Sequence, residues 1–542
     1  MKRILAACLF LAACATSTDI GTESTPAFSA NAFKAHVQFL ASDLLEGREA
    51  GTAGYDIAAE YVATQFELMG LVPGGADGSW FQPVPLRASW RNTNQISLTL
   101  IRPGESTELV FQHDFLLRSS PIDEVNEFEG EAVFVGFGID APNRGHNDYE
   151  GLDVRDKIVV SISGFPKGWP SEEGAYYSSG ANKAKTAQKY GAKAGITVYT
   201  DLLEMRAPWV RMTQNPNRMS LSWIDKNGVP HTSAPSIRIG GILSPDASGL
   251  LFDGAPRSYE TIRQEANEGA PSGFALPVRL SLKAGNRYED KVSANVVGMV
   301  RGTDPVLRNE YVVITGHLDH LGIGTPVDGD AIYNGALDNA AGIAAMLEAA
   351  RALQSDPPRR SVIFLAVTAE EKGLLGADYY ARNPTVPIES IVANVNLDMP
   401  VLTYDFTNVI GFGATHSSLE QSMRTALAKM GLGLAPDPFP QQAIFVRSDH
   451  YRFVQQGVPA IMLATGTDSV DGKGKGLEQL NAFLRTHYHQ PSDELNRDID
   501  FAAGAKFAEV NYYILKAIAD ATERPTWNEG DFFGDLFSSP SP

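Results

Sequence analysis

The stretch EYVVITGHLDHLG, residues 310–322, decides how this chain is built. Its first half is a short continuous apolar run, of the length and β-branched composition of a buried strand. Its second half delivers two histidines and an aspartate directly after that run. Outward from it the pattern repeats. SVIFLAV (361–367) runs into Thr368-Ala369-Glu370-Glu371, IVANVNL (391–397) runs into Asp398, and VPAIMLA (458–464) is a fourth run of the same kind. Helical stretches such as NAAGIAAMLEAARAL (339–353) separate them. Strands without alternation are buried on both faces, and strand–helix alternation from about residue 291 predicts an α/β unit with a mostly parallel central sheet flanked by helices.

Ligands of such sheets bind beyond the carboxyl ends of the strands. Three strands here bring His317, Glu370, Glu371 and Asp398 to one edge. Asp338 opens the helix that follows GAL, and His489 comes from the late loop HYHQPSDE. Imidazole and carboxylate without thiolate suit Zn²⁺ in a hydrolytic site. His317, Asp338, Glu371, Asp398 and His489 are too many for one tetrahedral catalytic zinc, and they suit two if one carboxylate bridges. Two such ions roughly 3.5–4 Å apart can activate water and polarise a carbonyl together.

Five motifs in order carry a family resemblance: GHLDHLG (316–322), GALDNAAG (335–342), TAEEKGLLGA (368–377), NLDM (396–399) and HYHQPSD (487–493). Together they resemble the co-catalytic di-zinc aminopeptidases and glutamate carboxypeptidases, metallopeptidase clan MH, family 28. GREAGTAGYDIAAEYV (47–62) is similar to that family's N-terminal segment, and VFVGFGIDAPNRGHNDYEGLDVRDKIVV (133–160) resembles the protease-associated (PA) domain often inserted in it. The resemblance implies a zinc exopeptidase fold of the phosphorylase/hydrolase-like kind, with a β-rich insert and two Zn²⁺ per chain. His317 and Asp398 would hold one zinc, Glu371 and His489 the other, and Asp338 would bridge. Glu370 would be the general base toward a bridging hydroxide, and Asp319 would orient the His317 imidazole. The peptide bond between Asp338 and Asn339 would be cis. His450 and Arg447, in the string Arg447-Ser448-Asp449-His450, are candidates for substrate or oxyanion contact. The activity implied is aminopeptidase. The rivals are a carboxypeptidase, for which Arg447 would receive a terminal carboxylate, a glutaminyl cyclase, and a receptor-like binding protein.

The rest of the chain frames this unit. Its 542 residues suit two domains. We divide it into a catalytic domain at 28–86 and 290–525, an insert at 87–289 with a PA-like core at about 125–280, and an acidic, aromatic tail at 526–542. Lys2 and Arg3 precede the apolar run 4–13, which ends Leu11-Ala12-Ala13-Cys14. This reads as a lipoprotein-type signal (1–13), a lipidated Cys14 and a Ser/Thr-rich tether to residue 27. It predicts a bacterial protein exported to the periplasm or outer membrane and held to a membrane only by the lipid. Formal net charge is −19, with no basic excess for nucleic acid. Peptides are the expected partners. Cys8 and Cys14 are the only cysteines, so the mature chain has no internal disulfide.

Overall fold

The computed structural model describes residues 26–214, 219–472, 475–495 and 498–538. The signal and Cys14 lie outside the described residues. Each apolar run is a strand: Tyr311–His317, Ser361–Val367, Ile391–Leu397 and Ala460–Thr465. Tyr311–His317 is central and parallel to both neighbours, with His317 level with Val367 on one side and Thr315 level with Asn396 on the other. Ile391–Leu397 pairs in parallel with Ala460–Thr465. Both margins of this parallel centre are antiparallel, through Asn408–Phe412 and through Phe274–Val300. Alternate side chains serve two helical layers. Val312 and Ile314 pack with Ile343, Leu347, Ile514 and Leu515 of the helices Ala341–Ser355 and Phe501–Asp520. Val313, Ile363 and Leu365 pack with Tyr380 and Phe453 on the other face.

A second unit has its own core, including Leu98, Phe115, Phe134, Ile158, Ile196, Leu243 and Leu280. Ile158–Ser161, Ala194–Thr197 and Ile239–Leu243 are its parallel strands. The two units are not joined by linkers. Phe274–Val300 is a single strand whose first half pairs with Ser97–Arg102 and Val125–Phe134, and whose second half pairs with Phe81–Arg91 and then Ser361–Val367. The divisions drawn at 86/87 and 289/290 therefore fall inside paired strands. Composition changes there because the side chains enter a new environment, while the hydrogen-bond ladder continues without a break. Ser220–Trp223 adds a third strand to this ribbon, against Phe81–Arg91. The tail folds back as the helix Phe532–Phe537, with Phe533 packed on Phe445, Tyr451, Val454 and Ala460. No described helix is long and apolar enough to cross a membrane.

Candidate metal centre

Three adjacent parallel strands end at the same level, so the residues that follow them converge. His317 closes the central strand. Its Nε2 lies 3.1 Å from Asp338 Oδ1 and 3.3 Å from Asp398 Oδ1. His489 Nε2 lies 3.4 Å from Asp338 Oδ2 and 3.2 Å from Glu371 Oε2. The two oxygens of Asp338 thus face two different groups, one formed with His317 and Asp398 and the other with Glu371 and His489. His320, fully buried, joins the second group: its Nδ1 is 2.8 Å from Glu371 Oε1. His317, Asp338 and Asp398 offer ligand atoms close enough for one cation, as do His320, Asp338 and Glu371.

The loops are held by backbone bonds around each ligand. The Asp338–Asn339 bond is cis, as the resemblance implied. Asn339 Nδ2 donates to Leu397 O at 2.8 Å and Asn339 Oδ1 accepts from Met399 N at 3.2 Å, so one amide spans the backbone on either side of Asp398. Ser448 Oγ donates to Asp398 Oδ2 at 2.5 Å, fixing that carboxylate's rotation. Gly335 has φ +60°, and a Cβ there would stand 2.6 Å from His320 Cγ, so only glycine fits. Ala369, Met399 and His489 also have positive φ. Non-glycine residues in that region cost roughly 1–3 kcal/mol each, and such positions concentrate where surrounding structure fixes a site.

Asp319 does a different job from the one expected of it. The partner of His317 Nδ1 is the Asp319 main-chain carbonyl, at 3.0 Å. The Asp319 carboxylate instead accepts Glu370 N at 3.0 Å and Glu371 N at 3.3 Å. It therefore caps the turn that carries both glutamates. His450 is buried against Phe445, and burial lowers its pKa to about 3. Arg447 is exposed. Neither is brought to the ligand group. Glu370 stands beside the group without joining either triad.

The electrostatics suit a cation. Burial opposes charge on His489, yet the bonds to Asp338 and Glu371 raise it to about 10. Burial and Asp338 push Glu371 upward, but His320 and His489 outweigh them and hold it at about 2. His317 is likewise raised well above an ordinary imidazole, against burial, by Glu370, Asp338 and Asp398. Imidazoles gripping protons between carboxylates are the donor set from which a divalent cation displaces protons on binding. Burial, with Asp398, Asp449 and Glu371 around it and His317 opposing, lifts Glu370 well above the usual carboxylate range.

Sequence reasoning missed Tyr488. It stacks on His489 with centroids 3.8 Å apart. Burial and then Asp338, Asp398, Glu371 and Glu370 push its phenol up, which keeps the O–H protonated. Its adjacency to His489 was the available signal.

The family model Peptidase family M28 matches residues 295–515. A probable leucine aminopeptidase 2 of Aspergillus fumigatus is 28% identical over 245 residues, 41% of this chain and 44% of that protein. Aminopeptidase YwaD of Bacillus subtilis is 25% identical over 322 residues, 58% of this chain and 54% of that protein. The chain thus spans about half the length of these relatives. An aminopeptidase from Aneurinibacillus sp. strain AM-1 shares the fold, with a TM-score of 0.51 at 19% identity, over 92% of this chain and 95% of that one.

Proposed function

We propose that this chain, whose residues 295–515 match the model of peptidase family M28, is a zinc-dependent exopeptidase, specifically an aminopeptidase that releases the N-terminal residue of peptides. The carrying observation is the division of Asp338, whose Oδ1 faces His317 and Asp398's side while Oδ2 faces His489 and Glu371. That arrangement suits two ions sharing one carboxylate. His317 and Asp398 would hold one zinc, and Glu371 and His489 the other, with His320 steadying Glu371. Zinc bound there would supply Lewis acidity toward the scissile carbonyl and acidify a water.

The chain's own groups do the rest. Glu370 accepts a proton from the attacking water and returns it to the leaving amine. Tyr488, held protonated, donates to the oxygen that gains charge at the carbonyl. Asp319 keeps the Glu370–Glu371 turn in place. The relatives named as aminopeptidases support the choice of the amino end. The N-terminal signal and Cys14 would station this activity at the periplasmic or outer-membrane surface.

A panel of peptides with free and N-acetylated amino ends tests the reading, run with zinc-loaded and chelated protein. Release of the first residue from free-amine peptides only, and only with zinc, is expected. Release from the carboxyl end of both forms would make the chain a carboxypeptidase. Loss of ammonia from N-terminal Gln without hydrolysis would make it a cyclase. Tight zinc with no turnover would leave a binding protein.

A further inference from the structure

The turn that carries Glu370 and Glu371 is closed on itself and then gripped by side chains of three other elements. Glu370 O accepts both Gly373 N and Leu374 N at 2.8 Å, and the chain passes at once into the helix Leu375–Arg382. Asp378 lies in that helix's first turn, and its N–H bonds back to Leu374 O at 2.9 Å. Its carboxylate is buried and faces the ribbon strand Ser220–Trp223. Asp378 Oδ2 accepts Trp223 Nε1–H at 2.7 Å. Trp223 belongs to the ribbon strand Ser220–Trp223 and is itself stacked on His231 at 4.2 Å. Asp378 Oδ1 accepts Arg382 Nε at 3.0 Å, and Arg452 Nη1 stands 3.8 Å from it. The other arm of Arg452 donates to Gly373 O at 3.1 Å, at the mouth of the glutamate turn. A separate contact has the same sense: Leu221 and Trp223 share an apolar cluster with Ala369, the residue before Glu370.

We propose that Asp378 is a positioning residue, through which the ribbon strand Ser220–Trp223 and Arg452 set the turn that presents Glu370 and Glu371. A short helix start after a left-handed residue (Leu374, φ +61°) has few bonds of its own to fix its direction. A buried carboxylate with an indole N–H on one oxygen and two guanidiniums near the other has one low-energy placement. The ribbon is then part of the catalytic apparatus by support, without touching substrate. Of the residues that would hold zinc only Glu371 lies on this turn, while His317, Asp338, Asp398 and His489 are carried by other elements. The effect should therefore fall on turnover more than on metal binding.

This inference rests on Glu370 acting as base, and its test is arranged to separate the two. Zinc-loaded wild type, W223F and D378N are compared on a free-amine peptide, with zinc content and KM measured alongside kcat. W223F removes the N–H donor together with the five-membered ring, whereas D378N keeps the side-chain volume and removes the charge, so the two are read side by side. We expect kcat to fall about ten-fold in W223F and D378N, with zinc content and KM within two-fold of wild type. If W223F does not fold, R452Q carries the test with the same expectation, and R452K should recover part of the loss. Wild-type kcat in the folded variants would overturn the inference. So would equal loss of zinc and kcat, which marks a general structural role. An inactive wild type would instead overturn the aminopeptidase reading.

Discussion

Glu370 and Asp338 separate chemistry from metal retention at the level of single side chains. Glu370 lies outside both triads, so Glu370→Gln should keep zinc at the wild-type level and lower kcat by about 10²–10⁴, the usual span for a lost acid–base group. Metal analysis beside steady-state kinetics checks this, and full activity would remove Glu370 from its role. Asp338→Ala withdraws an oxygen from each group at once. It should lose zinc and activity together, and two zincs retained per chain would contradict the bridge. His317, Glu371 and Asp398 were legible because each follows an apolar run, where strand ends must point their residues, whereas Asp338 and His489 lie on a helix start and a loop and were marked by the family motifs. What the Asp319 carboxylate bonds to was not legible. Its backbone carbonyl and its side chain compete for neighbours from 2 to 52 residues away, and only folding decides between them. His320 and His317 are three apart in one loop, and spacing alone does not show that both turn inward.

The elements around Asp338 rely on a clamp with one positive and one negative jaw. The Arg48 guanidinium is buried and donates to Leu318 O at 2.9 Å, Asn334 O at 2.6 Å and Gly335 O at 3.2 Å, and also to Leu40 O. Burial lowers its pKa to about 10, so it stays charged at neutral pH. From the other side the Asp493 carboxylate accepts Leu337 N at 3.1 Å and Asp338 N at 3.0 Å, while its carbonyl accepts Ala336 N. Five consecutive residues, 334–338, are thus held through their main-chain atoms by two distant residues, four of them by the Arg48 and Asp493 side chains. Arg48→Gln would leave several buried carbonyls without donors, at about 1–3 kcal/mol each before relaxation. We expect a lower unfolding midpoint and weaker zinc binding, with zinc restoring part of the midpoint. A variant with wild-type midpoint and zinc affinity would show the clamp to be redundant. At this scale the sequence was readable where periodicity speaks, as in the four buried strands. It was silent on Arg48, whose GREAGTAG context reads as a turn. It was also misleading at residues 87 and 290, where the ribbon Phe81–Arg91 with Phe274–Val300 runs straight through.

The whole molecule is closed by His416, where the catalytic unit, the second unit and the tail meet. Its Nδ1 is 2.5 Å from Asp531 Oδ2 in the tail, and its Nε2 is 2.8 Å from Glu172 Oε2 in the second unit. The ring stacks on Phe445, and Phe445 packs on Phe533 of the tail. Burial opposes the charge on His416, but Asp531 and Glu172 outweigh it and raise the pKa to about 9. An unfolded histidine titrates near 6.5. The folded state therefore binds this proton more tightly. The stabilisation is fully present below about pH 6.5 and is lost as pH rises through about 9, on the order of 3 kcal/mol in all. Denaturant unfolding of wild type and His416→Gln across this window isolates the effect, because other groups titrate equally in both. Their stability difference should shrink steadily from pH 6.5 to above 9, while proteolytic release of the tail in wild type increases. A difference that stays constant with pH would mean that His416 is neutral in the fold and that the apolar contacts of Phe445 and Phe533 alone hold the three parts together.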